Sequence, residues 1–191
     1  LPHFAELYAR YCAALREARQ MDYDDQMAYA LAILRKRPEI LAEFQEHYPY
    51  LCVDESQDTS RVQHAIIELL AQKTGNLFMV GDEDQSIYGF RAAYPEALLR
   101  FSAVWPGAKM LLLEENYRST PEILRLAGMF IEGNRERYPK TIRATRAKGR
   151  RVHLAHAASR QAQYRYLLAL AGKQGAPFSV LYRNNDSALP L

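Results

Sequence analysis

The 191-residue chain has two cysteines, one tryptophan and no apolar run near the ~20 residues that a membrane span requires. Cys12 and Cys52 make neither a metal-ligand spacing nor a disulfide framework, which excludes a structural zinc module and a stapled secreted scaffold. Cys52, inside an apolar run, reads as a small buried hydrophobe. No basic-then-apolar leader opens the chain, so a reducing, cytoplasmic setting is expected. Repeats and low-complexity tracts are missing too. What is present is ordinary for a soluble globular protein, 49% hydrophobic and 25% charged, and long enough for one domain with a proper core or one and a half small ones.

The net charge of +3 conceals a split. Residues 1–118 carry 12 Lys and Arg against 18 Asp and Glu, a balance of −6, whereas residues 119–191 carry 13 against 4, a balance of +9. Such asymmetry suggests two units, the second either facing an anionic partner or simply presenting a solvated basic surface.

Phe4, Leu7, Tyr8, Tyr11 and Leu15 recur at helical spacing and predict a helix over 4–19. The acids Asp22, Asp24 and Asp25 interrupt it and suit a helix cap better than a metal site. Met27, Ala30, Leu31 and Leu34 form the next stripe, ended near Arg37 by Pro38, and a third helix is expected over 39–47. Leu51-Cys52-Val53 is a short apolar strand of the kind buried on both faces of a parallel sheet. Ser60 and Gln63 make a capping-box signature for a helix to about Lys73, with Val62, Ile66, Leu69 and Leu70 inward. Gly75-Asn76 turns the chain into a second strand over 77–80. A helix over 96–101 and a third apolar strand over 109–113 follow. Thr120-Pro121-Glu122 reads as N-cap, first-turn proline and first-turn acid of a helix to about Ile131. The basic stretch 135–151 is expected to be irregular, with strands over 152–155 and 178–182 around a helix over 161–171. The alternation implies βαβ units, hence an α/β fold with a parallel sheet and right-handed crossovers.

Three strands in this reading end in polar clusters: Asp54-Glu55, then Gly81-Asp82-Glu83-Asp84-Gln85, then Asn116-Tyr117-Arg118. In one parallel sheet those ends share an edge, the edge where such sheets bind ligands. Acids there suit a hard divalent cation, and an arginine beside them suits phosphoryl transfer. Asp54 would hold the metal, Glu55 would orient or deprotonate a water, and Arg118 would neutralise developing charge. A metal-dependent nuclease would use similar acids, and an Asp-Glu pair after a strand often only caps a helix. Pattern alone leaves these open.

Asp54-Glu55-Ser56-Gln57-Asp58-Thr59 resembles the Walker B segment of superfamily 1 DNA helicases of the UvrD/Rep/PcrA type. The stretch from Gly81 to Ala93 resembles that family's third motif, and Glu115-Asn116-Tyr117-Arg118-Ser119-Thr120 its fourth. Met21 to Asp25 and Phe178 to Asn185 are similar to further parts, in matching order. The resemblance implies a parallel-sheet, RecA-like (P-loop NTPase-type) motor with helices on both faces. Residues 1–118 would be the later part of motor domain 1A behind a helical segment, and residues 119–191 the opening of a second α/β domain, 2A. It further implies ATP and Mg2+ as cofactors, single-stranded and duplex DNA as partners along with repair or recombination proteins, and 3′-to-5′ unwinding. Residue by residue, Asp54 would bind magnesium and Glu55 would be the base for ATP hydrolysis. Gln85 would sense the γ-phosphate, Tyr117 would stack on adenine and Arg118 would reach the γ-phosphate. Tyr88 and Phe90, with Arg91 nearby, would stack on DNA bases, a contact tolerant of sequence.

Ser56 stands where this family has an aromatic, and Ala92 where it has glycine; neither removes a proposed chemical group. Nowhere does G-x-x-x-x-G-K-[ST] occur, the loop whose amides and lysine cradle phosphates. The chain therefore resembles an internal piece of a helicase, expected to be inactive alone. A helicase-nuclease subunit and a non-catalytic DNA-binding or assembly module are the alternatives.

Overall fold

A computed structural model describes residues 3–87, 89, 93–173 and 177–187. Three helices lead: α1 (Phe4–Glu17), α2 (Tyr23–Lys36) and α3 (Pro38–His47). Asp22 caps α2 as expected, its Oδ1 accepting from the Asp25 amide at 2.8 Å, and Pro38 occupies the first turn of α3. The stripe of α1 faces solvent, with Phe4, Leu7 and Tyr8 all more than half exposed. A Tyr11 hydroxyl bond to Asp22 Oδ2 (3.0 Å) ties α1 to the start of α2.

Strand β1 (Leu51–Val53) leads into a 3₁₀ turn (Ser56–Asp58) and helix α4 (Arg61–Ala71). Both halves of the predicted capping box at Ser60 and Gln63 form. Gly75 takes φ +66°, a conformation glycine adopts without penalty, and turns the chain into β2 (Leu77–Met79). The two strands pair in parallel with Leu51 opposite Leu77, Cys52 opposite Phe78 and Val53 opposite Met79. Side chains alternate across this ladder. The Leu51, Val53, Leu77 and Met79 face is partly covered, whereas Cys52 and Phe78 lie exposed. The expectation of strands buried on both faces, and of a buried Cys52, is therefore corrected: only one face is covered by the described elements.

Helix α4 packs on α2, and α3 packs on both. Leu34 and Ala71 are the buried apolar side chains among the described residues, so the core expected for this length is small. Behind β2, a cavity of ≈ 170 Å³ lies between α4 and two short helices, α5 (Glu96–Leu99) and α6 (Phe101–Val104), with His64, Tyr94 and Trp105 in its wall. The single helix expected over 96–101 is broken at Arg100 (φ −96°, ψ 6°).

The third strand differs from expectation. Residues 109–113 form no ladder and expose Leu111 and Leu113; strand β3 instead comprises Glu115–Asn116. It pairs in parallel with β4 (Arg143–Ala144), inside the stretch expected to be irregular, in a ladder separate from β1–β2. The three polar strand ends consequently do not share one sheet among the described residues. Helix α7 (Pro121–Ile131) has the predicted proline and first-turn acid, but Thr120 makes no side-chain cap and its hydroxyl is buried without a partner. Helix α8 (Arg160–Lys173) forms as expected, whereas 152–155 and 178–182 are not strands. Within the described residues no helix is long and apolar enough to cross a membrane.

Candidate functional site

The end of β1 delivers Asp54 and Glu55, both exposed. Asp54 Oδ1 accepts from the Glu55 amide at 2.9 Å, leaving its other oxygen open. Glu55 sits in the left-handed region (φ 49°, ψ 42°), which for a non-glycine residue costs on the order of 1–3 kcal/mol. That conformation turns the chain sharply into the 3₁₀ turn and leaves Glu55 at its mouth.

Behind it lies Gln57, 1% exposed and hydrogen-bonded on both ends. Its Nε2 donates to Glu55 Oε2 at 2.7 Å, and its Oε1 accepts from the Asp82 amide at 3.0 Å. Asp82, at the end of β2, accepts at Oδ2 from Gln85 Nε2 (2.8 Å). Glu55 and Gln85 are thus joined by an unbroken polar chain through Gln57 and Asp82. Gly81 permits the approach, because a Cβ there would stand 2.5 Å from Ser56 Oγ, 2.9 Å from Gln57 Oε1 and 3.2 Å from Leu98 Cδ2. Gly81→Ala should destabilise the protein by about 1–3 kcal/mol, read as a lower denaturation midpoint.

A second group joins the same turn. Lys140 Nζ lies 2.5 Å from Asp82 Oδ1, 3.1 Å from Glu83 Oε1 and 3.0 Å from Asp84 Oδ2. Arg137 grips Asp84 with two nitrogens, at 2.9 and 2.6 Å, and the Tyr138 amide donates to Glu83 Oε1 at 2.9 Å. The side chains of Glu83 and Lys140 are 4% and 10% exposed, so these charges are compensated by one another rather than by water. Burial pushes the Asp82 and Asp84 carboxyls up, but Lys140 with Gln85 at Asp82, and Arg137 with Lys140 at Asp84, outweigh it and hold both below the usual carboxylate range. Lys140, although burial opposes its charge, is raised by its three acids.

The sign of the pH dependence follows. Depressed carboxyls contribute stability that is present above their unfolded value near ~3.9 and is lost as pH falls through the folded value; the raised lysine contributes below ~10.4 and loses it as pH rises further. The contribution of this cluster to the melting temperature should therefore be flat across the neutral range and fall on the acid side below about pH 4, with Asp84→Asn making that acid limb shallower.

Asp82, Glu83 and Asp84 bring their oxygens close enough together for one ion. The cation already there is Lys140. Asp54 is exposed and its second carboxylate oxygen has no hydrogen-bond partner among the described residues, so it could offer one oxygen to a hard divalent ion. Tyr117 is 70% exposed and donates to Glu115, which raises the Tyr117 phenol. Arg118 is exposed; its amide donates to Asn116 Oδ1 at 3.0 Å, and its guanidinium has no hydrogen-bond partner among the described residues. Both directly follow β3, and no hydrogen bond links them to the Glu55–Gln85 chain among the described residues. Tyr88, Phe90 and Arg91 lie outside the described residues. Gln57, Arg137, Tyr138 and Lys140 carried no role in the sequence reading; the opposite charge balances of the two halves were the one signal that acids of the first would meet cations of the second.

These elements make the molecule a mixed α/β protein with short parallel ladders and an acid-rich site at the strand ends. Residues 2–106 match the model of the UvrD/REP helicase N-terminal domain. The chain is 37% identical over 188 residues to the ATP-dependent DNA helicase PcrA of Leuconostoc citreum, covering 95% of this chain and 25% of that protein. It is 35% identical over 187 residues to proteins of the same name from Staphylococcus aureus and Staphylococcus epidermidis, covering 95% of this chain and 26% of each. The chain belongs to the UvrD/REP helicase family, and it spans about a quarter of the length of these curated relatives.

Proposed function

We propose that the chain supplies the hydrolytic side of the ATP site in a 3′-to-5′ DNA helicase. The observation that carries this reading is the hydrogen-bonded path from Glu55 through Gln57 and Asp82 to Gln85. A base and a γ-phosphate sensor must act in concert, and shared rigid partners give that concert a physical route. Residues 1–118 belong to a RecA-like domain 1A and residues 119–191 open domain 2A. Asp54 would hold magnesium, which would supply charge neutralisation on the phosphates. Glu55 accepts the proton of the attacking water, and Gln85 reads the γ-phosphate. Tyr117 stacks on adenine, and Arg118 presents a fork that lysine would not copy. Tyr88, Phe90 and Arg91 contact single-stranded DNA. The setting is cytoplasmic, with repair or recombination proteins as partners.

The test is made on the whole protein, by ATP turnover with and without single-stranded DNA and by strand displacement from duplexes with a 3′ or a 5′ tail. Turnover stimulated by DNA with displacement confined to the 3′-tailed duplex is expected; displacement confined to the 5′-tailed one would reverse the polarity. The 191 residues hold no G-x-x-x-x-G-K-[ST] loop, so the chain by itself should neither hydrolyse ATP nor unwind DNA. Magnesium- and DNA-stimulated turnover by the purified chain would refute that.

A further inference from the structure

Arg137 and Lys140 lie in the basic stretch that the charge split pointed toward an anionic partner, yet the structure turns both onto the acids of the first half. The segment is fastened at three points. Lys140 meets three carboxylates, Arg137 grips Asp84 with two nitrogens, and the Tyr138 hydroxyl donates to the Leu98 and Leu99 carbonyls at 2.8 and 3.1 Å. The last contact closes the end of α5, and α5 itself packs on the Ser56–Asp58 turn. The segment thus touches the Glu55–Gln85 path twice, from Lys140 through Asp82 and from Tyr138 through α5.

We propose that Lys140, supported by Arg137, is a positioning residue for Gln85: it neutralises the Asp82–Asp84 turn so that Asp82 can hold the Gln85 amide, and any displacement of residues 137–140 is felt at Gln85. The inference rests on the reading of Gln85 as γ-phosphate sensor. Its physical basis is the division of one carboxylate, whose Oδ1 takes Lys140 and the Asp84 amide while Oδ2 takes Gln85. Without the ammonium, three successive acids face one another with Arg137 alone to balance them. Like charges so placed repel, and the turn must open or take up a proton. An acid cluster built to hold a metal would not be filled by its own chain. Here the cation is internal and comes from a segment 53–58 residues away, so the site reports the position of that segment.

Steady-state ATP turnover of the whole protein, with and without single-stranded DNA, tests this in Lys140→Met, Lys140→Arg, Gln85→Ala and the Lys140→Met/Gln85→Ala double variant. Lys140→Met should lower DNA-stimulated kcat about tenfold with KM for ATP little changed, and Lys140→Arg should restore most of it. In the double variant Lys140→Met should add less than about twofold to the loss from Gln85→Ala, because both act through one contact. A full further tenfold loss in the double variant would overturn the positioning role while leaving Gln85 as sensor. Unaltered DNA stimulation in Gln85→Ala would instead sink the sensor reading, and the proposal with it. If Lys140→Met does not fold, Arg137→Lys, which keeps the charge but loses the two-pronged grip on Asp84, replaces it in the same comparison.

Discussion

Glu55→Gln in the whole protein is expected to lower ATP turnover by a factor of about 10²–10⁴, the range that a positioned general base contributes, while nucleotide affinity changes little. The two side chains have the same shape. The residue at 55 must keep its left-handed backbone and its bond with Gln57, and a glutamine can do both by turning its Oε1 toward the Gln57 Nε2 donor. What it cannot do is take a proton from water. The measurement pairs single-turnover hydrolysis with equilibrium binding of a fluorescent ATP analogue. A parental rate with intact binding would remove Glu55 as base, and an affinity loss as large as the rate loss would mean that the substitution had disturbed binding instead.

Gln57→Leu is expected to have the next largest effect, and on two readouts at once. The side chain is almost fully buried and uses both ends of its amide. An apolar replacement of comparable size leaves the Asp82 amide without its acceptor, and each orphaned buried group costs roughly 1–3 kcal/mol. Glu55 loses its donor as well, although being exposed it can recover a water. A total of about 1–3 kcal/mol, or very roughly a 2–12 °C drop in melting temperature, should appear by calorimetry. Turnover measured well below the new melting temperature should still be reduced, since the path from Glu55 to Gln85 is cut at Gln57. Stability lost with turnover intact would show that Gln57 supports the fold and nothing more.

Local rules read much of this structure, and their failures have identifiable causes. The caps at Asp22 and Ser60, the turn at Gly75 and the strands β1 and β2 depend on residues a few positions apart, and each formed where its residues called for it. The strand expected over 109–113 rested on apolarity alone. A strand needs a hydrogen-bonding neighbour, and the neighbour available was Arg143–Ala144, which pairs with Glu115–Asn116 rather than with the leucines before them. Nothing in the residues near 111 announces that distant choice. Thr120 likewise has the right type for a cap, but its hydroxyl is enclosed, in the place where Gly149 packs against it. The placement of Asp54 and Glu55 after β1 and of Gln85 in the cluster after β2 was legible because strand ends and polar clusters are local features. Gln57 was not, because polar residues after a strand suggest surface and this one is buried. Lys140 was not, because its pairing with Asp82 spans 58 positions without periodicity.

The inward turn of Arg137 and Lys140 also changes what the molecule presents to salt and to polyanions. Affinity for a nucleic acid rises with the number of phosphates that protein cations neutralise, each displacing condensed counterions into solution. Two of the 13 cations in residues 119–191 are already neutralised by acids of the first half and have no counterions to displace. The formal balances of −6 and +9 therefore overstate both the acidity of one surface and the basicity of the other. In the proposed DNA complex, the ionic-strength dependence would be set by side chains that remain in water, such as Arg150 and Arg151.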